Sequence, residues 1–195
     1  KNIWIVGSSI PFWAGELAAT QPGGRNLNLS ARVKWHTIRG LQWHQLDPHI
    51  LQLLKNSPPP EFLVVHLGSN DLTTQGLTSK KLIKEIECAL LRYNALMPKT
   101  TLVWSAILPR LYWHGAPLNS GKKIEKKRKT INRKVRSIVL DLGGMVISHR
   151  NILAKFTQLF RHDGTHLSRT GNELYLKNLE GGLLAFLSNT AREFS

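Results

Sequence analysis

The chain is predicted to fold as a parallel α/β protein around a central five-stranded sheet, and three observations predict it. Short, nearly unbroken apolar runs at residues 3–6 and 62–67 end in Gly-Ser, as strands buried on both faces of a parallel sheet do. Weaker runs of the same kind occupy residues 33–38, 101–105 and 145–147. Helix-length sequence separates each run from the next, so the pattern reads βαβ throughout.

The elements follow in order. Trp4 sits within the first strand and is expected in the core. Residues 11–30 read as an irregular segment. Asp47 is placed to cap a helix beginning at Pro48, whose fixed φ suits a first turn; Leu51 and Leu54 give it an apolar stripe, and Pro58-Pro59-Pro60 end it. Between Ser79 and Met97, Leu82, Ile83, Ile86, Leu90 and Tyr93 recur at helical spacing, and Pro98 stops the run. Residues 109–121 are again irregular. Ile131, Val135, Ile138 and Val139 continue a basic stretch as a helical stripe, which puts its charges on the outer face. Ser168 caps a last helix whose core face carries Leu174, Leu179, Leu183, Phe186 and Leu187, with Gly181-Gly182 weakening its middle. There is no internal repeat.

A length of 195 residues, 42% of them hydrophobic and 20% charged, is that of one globular domain, residues 1–195. Lys1 and Asn2 run straight into the first strand, so the domain is read as excised from a longer protein, with further regions through which the parent oligomerises. Cys88 is the single cysteine; no intrachain disulfide can form, and it reads as a buried structural thiol of a reduced compartment. No apolar run approaches the roughly 20 residues of a membrane-spanning helix, and the first residues do not read as a cleavable signal, so a cytoplasmic chain is expected.

The formal charge is +15. Residues 122–136 contribute nine basic side chains and one acid, a net of +8, so the excess is both local and general. Lys122, Lys123, Lys126, Lys127, Arg128, Lys129, Arg133 and Lys134 are the candidates for a polyanion contact with RNA, DNA or an anionic membrane. The alternative is a solvated helix face. No aromatic-rich signature accompanies these charges, so sequence-specific RNA recognition is not indicated.

Three distant strings carry the chemistry: Val6-Gly7-Ser8-Ser9-Ile10, Gly68-Ser69-Asn70-Asp71 and Asp163-Gly164-Thr165-His166. Singly, each is ordinary turn or cap punctuation. Together they supply a nucleophile (Ser9), a base (His166), a carboxylate to hold the imidazole (Asp163) and a carboxamide donor for an oxyanion (Asn70). In an open parallel sheet, ligands collect outside the carboxyl ends of the strands. Ser9 follows the first strand, Gly40 the second and Asn70 the third, while residues 163–166 precede the last helix, so all are expected on one rim. The backbone N–H groups of Ser9 and Gly40 with Asn70 then form a three-donor oxyanion hole. Asp71 is left as structural.

These strings resemble the SGNH (GDSL-type) hydrolases, whose Ser, Gly, Asn and His fall at Ser9, Gly40, Asn70 and His166, with the family's Asp-x-x-His pair at Asp163 and His166. Within that family, Ile-Trp-Ile-Val-Gly-Ser-Ser-Ile, His-Leu-Gly-Ser-Asn-Asp-Leu, Trp-Ser-Ala-Ile-Leu-Pro-Arg and Phe-Arg-His-Asp-Gly-Thr-His-Leu-Ser are most similar to the esterase domain in first-open-reading-frame proteins of some vertebrate LINE retrotransposons. One departure is Gly7-Ser8-Ser9 where the family has Gly-Asp-Ser. The resemblance implies a flavodoxin-like three-layer sandwich and hydrolysis of small O-acyl esters, including lipid esters, with no cofactor.

Other residues carry weaker signals. His162, Asp163 and His166 have ligand chemistry, but Gly164 argues against the continuous helix that would align the two histidines, and no metal site is read. His36, His44, His49, His66, His114 and His149 are scattered and read as surface or hydrogen-bonded residues. Trp13 and Trp113 lie in the two irregular segments and either wall an acyl pocket or pack.

Overall fold

A computed structural model describing Lys1–Ser195 brings the five expected apolar runs together as parallel strands: Asn2–Gly7 (β1), Arg32–Thr37 (β2), Phe62–His66 (β3), Thr101–Ser105 (β4) and Met145–Ile147 (β5). The sheet has a sixth member, the two-residue edge strand Glu193–Phe194 (β6), and its order is β2-β1-β3-β4-β5-β6. No apolar run announces β6. Its pairing with β5 is fixed by where the last helix delivers the chain, through Val146↔Glu193 and Ile147↔Phe194.

Five helices cover the sheet: Ser9–Ala18 (α1), Leu46–Asn56 (α2), Ser79–Leu96 (α3), Gly121–Asp141 (α4) and Arg169–Leu187 (α5). Alternate β1 side chains choose the face. Ile3 and Ile5 join α1 and α5 in one core, whereas Trp4 and Val6 join α2, α3 and α4 in the other, as the period of 2 in a strand requires. The result is a three-layer sandwich. None of its helices is long and apolar enough to cross a membrane.

Five expectations about the elements need correction. The segment from residue 11 is not irregular at its start. Pro11 is the third residue of α1, in the first turn, where its missing N–H costs nothing. Ile10, Ala14 and Ala18 then form a narrow buried apolar stripe. Asp47 is the second residue of α2 and not its cap, because a 3-10 turn at Trp43–Gln45 leads straight into the helix. Its carboxylate instead accepts from the Tyr93 hydroxyl and the Arg92 guanidinium, tying α2 to α3. The buried face of α2 is Leu46 and Ile50, and Leu51 points to solvent.

The pair Gly181-Gly182 does not interrupt α5. A Cβ at Gly181 would lie 2.5 Å from the Phe194 ring, and one at Gly182 would lie 2.8 Å from Ile147 Cγ1. The glycines let α5 lie against β5 and β6, so their helical penalty of about 1 kcal/mol each is offset by close packing. Finally, Cys88 is half-buried on α3, not fully buried.

Candidate active site

Gly7 at the end of β1 is in register with Thr37 of β2 on one side and His66 of β3 on the other. The chain leaves β1, goes to β2, then returns across β1 to β3, so the loops after these strands diverge at a topological switch point. That is where a crevice opens in doubly wound sheets. Ser9, Gly40 and Asn70 stand two, three and four residues beyond those strand ends, and all three line one cleft of about 660 Å³ together with His166.

Ser9 is the first residue of α1 and only 7% exposed, so its side chain lies at the start of the helix. Ser8 makes no side-chain capping bond. The first-turn amides of α1 therefore keep no side-chain acceptor, and a helix start with open amides favours an anion. Gly40 sits at the corner of a turn closed by Leu41 N–H on Ile38 O at 3.1 Å. Its φ of +79° is strained for any residue with a Cβ, although space beside it is open.

Asn70 is held at both ends of its carboxamide. One Nδ2–H donates to Leu41 O at 3.1 Å, and Oδ1 accepts from Arg110 Nη2 at 3.1 Å. The second Nδ2–H is left for a ligand. Arg110 also donates to Ser69 Oγ at 2.9 Å and lies 5.0 Å from the Trp113 ring centre. Burial lowers its pKa to about 10, where it stays cationic at neutral pH.

Asp163 and His166 form the tightest contact of the site, His166 Nδ1 to Asp163 Oδ2 at 2.7 Å. The other carboxylate oxygen accepts the backbone N–H groups of Thr165 and His166, both at 2.9 Å. Burial alone would raise this carboxyl, but the His166 side-chain bond and the two backbone donors outweigh it and hold Asp163 down at about 2. An ionised carboxylate only accepts, so Nδ1 carries the proton and Nε2 presents the lone pair. Residues 106–120 brace this loop: Leu111 and Tyr112 N–H donate to Gly164 O at 2.8 and 3.0 Å, and Thr165 Oγ1 donates to Tyr112 O at 3.1 Å. Ser9 and His166 line the cleft without a direct hydrogen bond, a separation that closes in many hydrolases when substrate binds.

The cleft also contains residues that the sequence reading did not single out. Arg39, Arg110, Arg161 and His114 line it beside Trp13. In a chain of +15, an arginine is no signal, and only the fold shows which cations gather here. Trp13 does wall the cleft, from α1. Trp113 does not: it is 8% exposed and packs into the α2–α4 core.

The eight basic candidates divide. Lys122, Lys123, Lys126, Lys129, Arg133 and Lys134 are exposed on α4. Lys127 and Arg128 instead turn inward. Lys127 Nζ donates to Leu72 O and Leu77 O. Arg128 donates to Ile107 O at 2.7 Å and pairs with Glu125. These two anchor the rim loops to α4 because their carbonyls lie buried beside it, which no periodicity could disclose. Asp71 is structural, its carboxylate accepting Trp43 N–H at 3.0 Å.

Of the scattered histidines, His66 and His149 are buried and hydrogen-bonded. Ser105 Oγ bridges them, at 3.0 Å from His66 Nδ1 and 2.8 Å from His149 Nε2, and Asn178 Nδ2 meets His149 Nδ1 at 3.1 Å. Burial drives both imidazoles below their ordinary range, His66 to about 3. They serve as neutral scaffold.

No protein-family model matches the chain, and no curated protein does. Solved structures do. The chain is similar to the psychrotrophic esterase EstA from Pseudoalteromonas sp., at 16% identity and a TM-score of 0.72 over 96% of this chain and 98% of that one. It is similar to the acetylxylan esterase Axe2 from Geobacillus stearothermophilus, at 13% identity and a TM-score of 0.68 over 94% of each chain. A lipase/acylhydrolase from Enterococcus faecalis gives 15% identity and 0.64 over 93% of this chain and 96% of that one. Across nearly its whole length, the chain therefore has the three-layer parallel α/β fold found in esterases and GDSL-like lipases.

Proposed function

We propose that the chain is a serine esterase that hydrolyses small O-acyl esters, acetyl or other short-chain, through an acyl-enzyme. The observation that carries this reading is the shared cleft of Ser9, Gly40, Asn70 and His166, with His166 Nδ1 fixed on an ionised Asp163. Ser9 Oγ attacks the carbonyl carbon as His166 Nε2 takes its proton. The oxyanion is held by the N–H groups of Ser9 and Gly40 and by Asn70 Nδ2. Collapse breaks the C–O bond, and His166 protonates the departing alkoxide. Water then attacks acyl-Ser9 by the same route, releasing the carboxylic acid and restoring the serine. Trp13 is the one apolar wall of the cleft, which favours a short acyl group over a long chain. The similar Pseudoalteromonas esterase was solved inhibited by monoethylphosphonate, so a fluorophosphonate probe is the natural test. The probe labels Ser9, and Ser9→Ala loses both the label and hydrolysis of 4-nitrophenyl acetate; equal rates in the two proteins remove Ser9 from the mechanism.

The four sequence strings extend the proposal to the parent protein, which we read as a LINE-type first-open-reading-frame product. Finding no reverse-transcriptase frame next to the gene would overturn that extension.

A second reading rests on α4. Lys122, Lys126, Lys129 and Arg133 follow one another at helical spacing along an outer groove of about 680 Å³, a stripe that catalysis does not use. As a polyanion-binding face it would lose affinity for a nucleic-acid or anionic-lipid probe steeply with salt, and the slope would shrink as these side chains are neutralised. Binding that ignores salt leaves the stripe as a solvated face.

A further inference from the structure

The cleft is lined by three guanidinium groups and no carboxylate. Elsewhere in the chain, Arg25, Arg92, Arg128, Arg136 and Arg169 each pair with an acid. Arg39 and Arg161, like Arg32, Arg133, Arg150 and Arg192, do not. Arg39 and Arg161 are both exposed and lie over aromatic rings. The Arg161 guanidinium carbon is 4.6 Å from the Trp13 ring centre, and that of Arg39 is 5.8 Å from Trp13 and 5.3 Å from Phe12. A cation–π contact consumes no N–H donor, and Arg161 spends only Nε, on Leu167 O at 3.1 Å. Nothing hydrogen-bonds Arg39. Arg110, by contrast, is committed to Ser69 and Asn70.

Two guanidiniums without an acidic partner at one mouth repel each other, and an anion bound there relieves that repulsion. They match the planar or tetrahedral oxygens of a carboxylate, sulfonate or phosphate. Resting on the esterase reading above, we infer that the substrate is an anionic ester, with the negative group lying within reach of Arg39 and Arg161 beside Trp13. The apolar lining is correspondingly poor: Trp13 is its single hydrophobic member, whereas a pocket for a neutral ligand is mostly apolar. The +15 field of the whole chain also draws such substrates from solution.

An alternative use of the same charges is to stabilise the oxyanion. That use accelerates neutral and anionic esters alike, so their ratio separates the two. The test compares 4-acetoxybenzenesulfonate with its neutral N,N-dimethylsulfonamide analogue, two acetate esters with similar leaving groups. A second pair, dibutyrylphosphatidic acid and dibutyrylglycerol as monomers, places the charge on a lipid headgroup. Wild type is expected to prefer the anion in kcat/KM in at least one pair, by about tenfold for each guanidinium engaged. Arg39→Gln and Arg161→Gln each remove about that factor, mainly in KM, and 0.5 M salt compresses the preference. A ratio near one in both pairs, or a preference that survives the double variant, overturns the inference while leaving the esterase intact. Binding is read separately in Ser9→Ala by titration with 4-hydroxybenzenesulfonate and its neutral sulfonamide. Stronger binding of the anion, lost in the double variant, upholds the cradle even if no ester is cleaved; equal binding sinks it whatever the rates.

Discussion

Replacing Arg110 by Met is the perturbation that most directly tests how the oxyanion hole is built. The side chain touches neither nucleophile nor base. Its Nη2 reaches Asn70 Oδ1 at 3.1 Å and Ser69 Oγ at 2.9 Å, so it clamps the carboxamide whose other end is tied to Leu41 O. Met keeps the buried stem and the packing on Trp113 but removes the charge-assisted donors. A hydrogen bond of this kind contributes about 1.5–3 kcal/mol. With one of two tethers gone, Asn70 can rotate its free N–H away from the developing oxyanion, and the lost preorganisation appears in the transition state. The expected result is a 10- to 100-fold fall in kcat with KM changed less than threefold. Steady-state hydrolysis of 4-nitrophenyl acetate reads this, with circular dichroism to confirm folding. Arg110→Lys, which keeps a charge but not the fork, should recover only part of the rate. An Arg110→Met protein that folds and keeps wild-type kcat refutes the clamp.

Other outcomes follow from the same geometry. Asp163→Asn exchanges an ionised acceptor for a neutral amide that no longer dictates the Nδ1–H tautomer, and kcat should drop by about a thousandfold or more while Thr165 and His166 keep the loop. Acid should destabilise the fold well before Asp163 protonates. Between pH 6.5 and about 3 the unfolded chain binds a proton at His66 that the folded chain refuses, and His149 acts in the same direction. Burial raises Asp71 to about 6, so between pH 3.8 and 6 the folded state holds a proton that the unfolded one has lost, which works the other way. From pH 7 to 5 His66 costs about 2 kcal/mol and Asp71 returns about 1, leaving a net loss to which His149 adds. Urea unfolding at the two pH values measures it, and equal midpoints would contradict the buried-imidazole account. Gly182→Ala forces a methyl to within 2.8 Å of Ile147 Cγ1 and should cost about 1–3 kcal/mol in the same assay; a neutral substitution would mean that α5 does not lie tightly on β5.

The parallel α/β plan was legible in the sequence, since nearly unbroken apolar runs such as 62–67 have no solvent face and read as central strands. Ser9, Gly40, Asn70, Asp163 and His166 were likewise legible as site candidates, because each lies just beyond a strand or before a helix, where local order places it on the rim. Local signals failed where long-range contact decides. Residues 11–18 read as irregular until α1 forms with Pro11 in its first turn, and Glu193–Phe194 has no strand pattern of its own and pairs only because α5 ends beside β5. The tertiary structure alone assigned the cations. Lys127 and Arg128 look like their neighbours on α4 but bind buried carbonyls, whereas Arg39, Arg110 and Arg161, 71 and 51 residues apart in the sequence, meet at one cleft. A charged side chain carries no periodic burial signal, so its partner is set by which loops the sheet brings together. Here that gathering, at the switch between β1 and β3, made the rim of the candidate site basic.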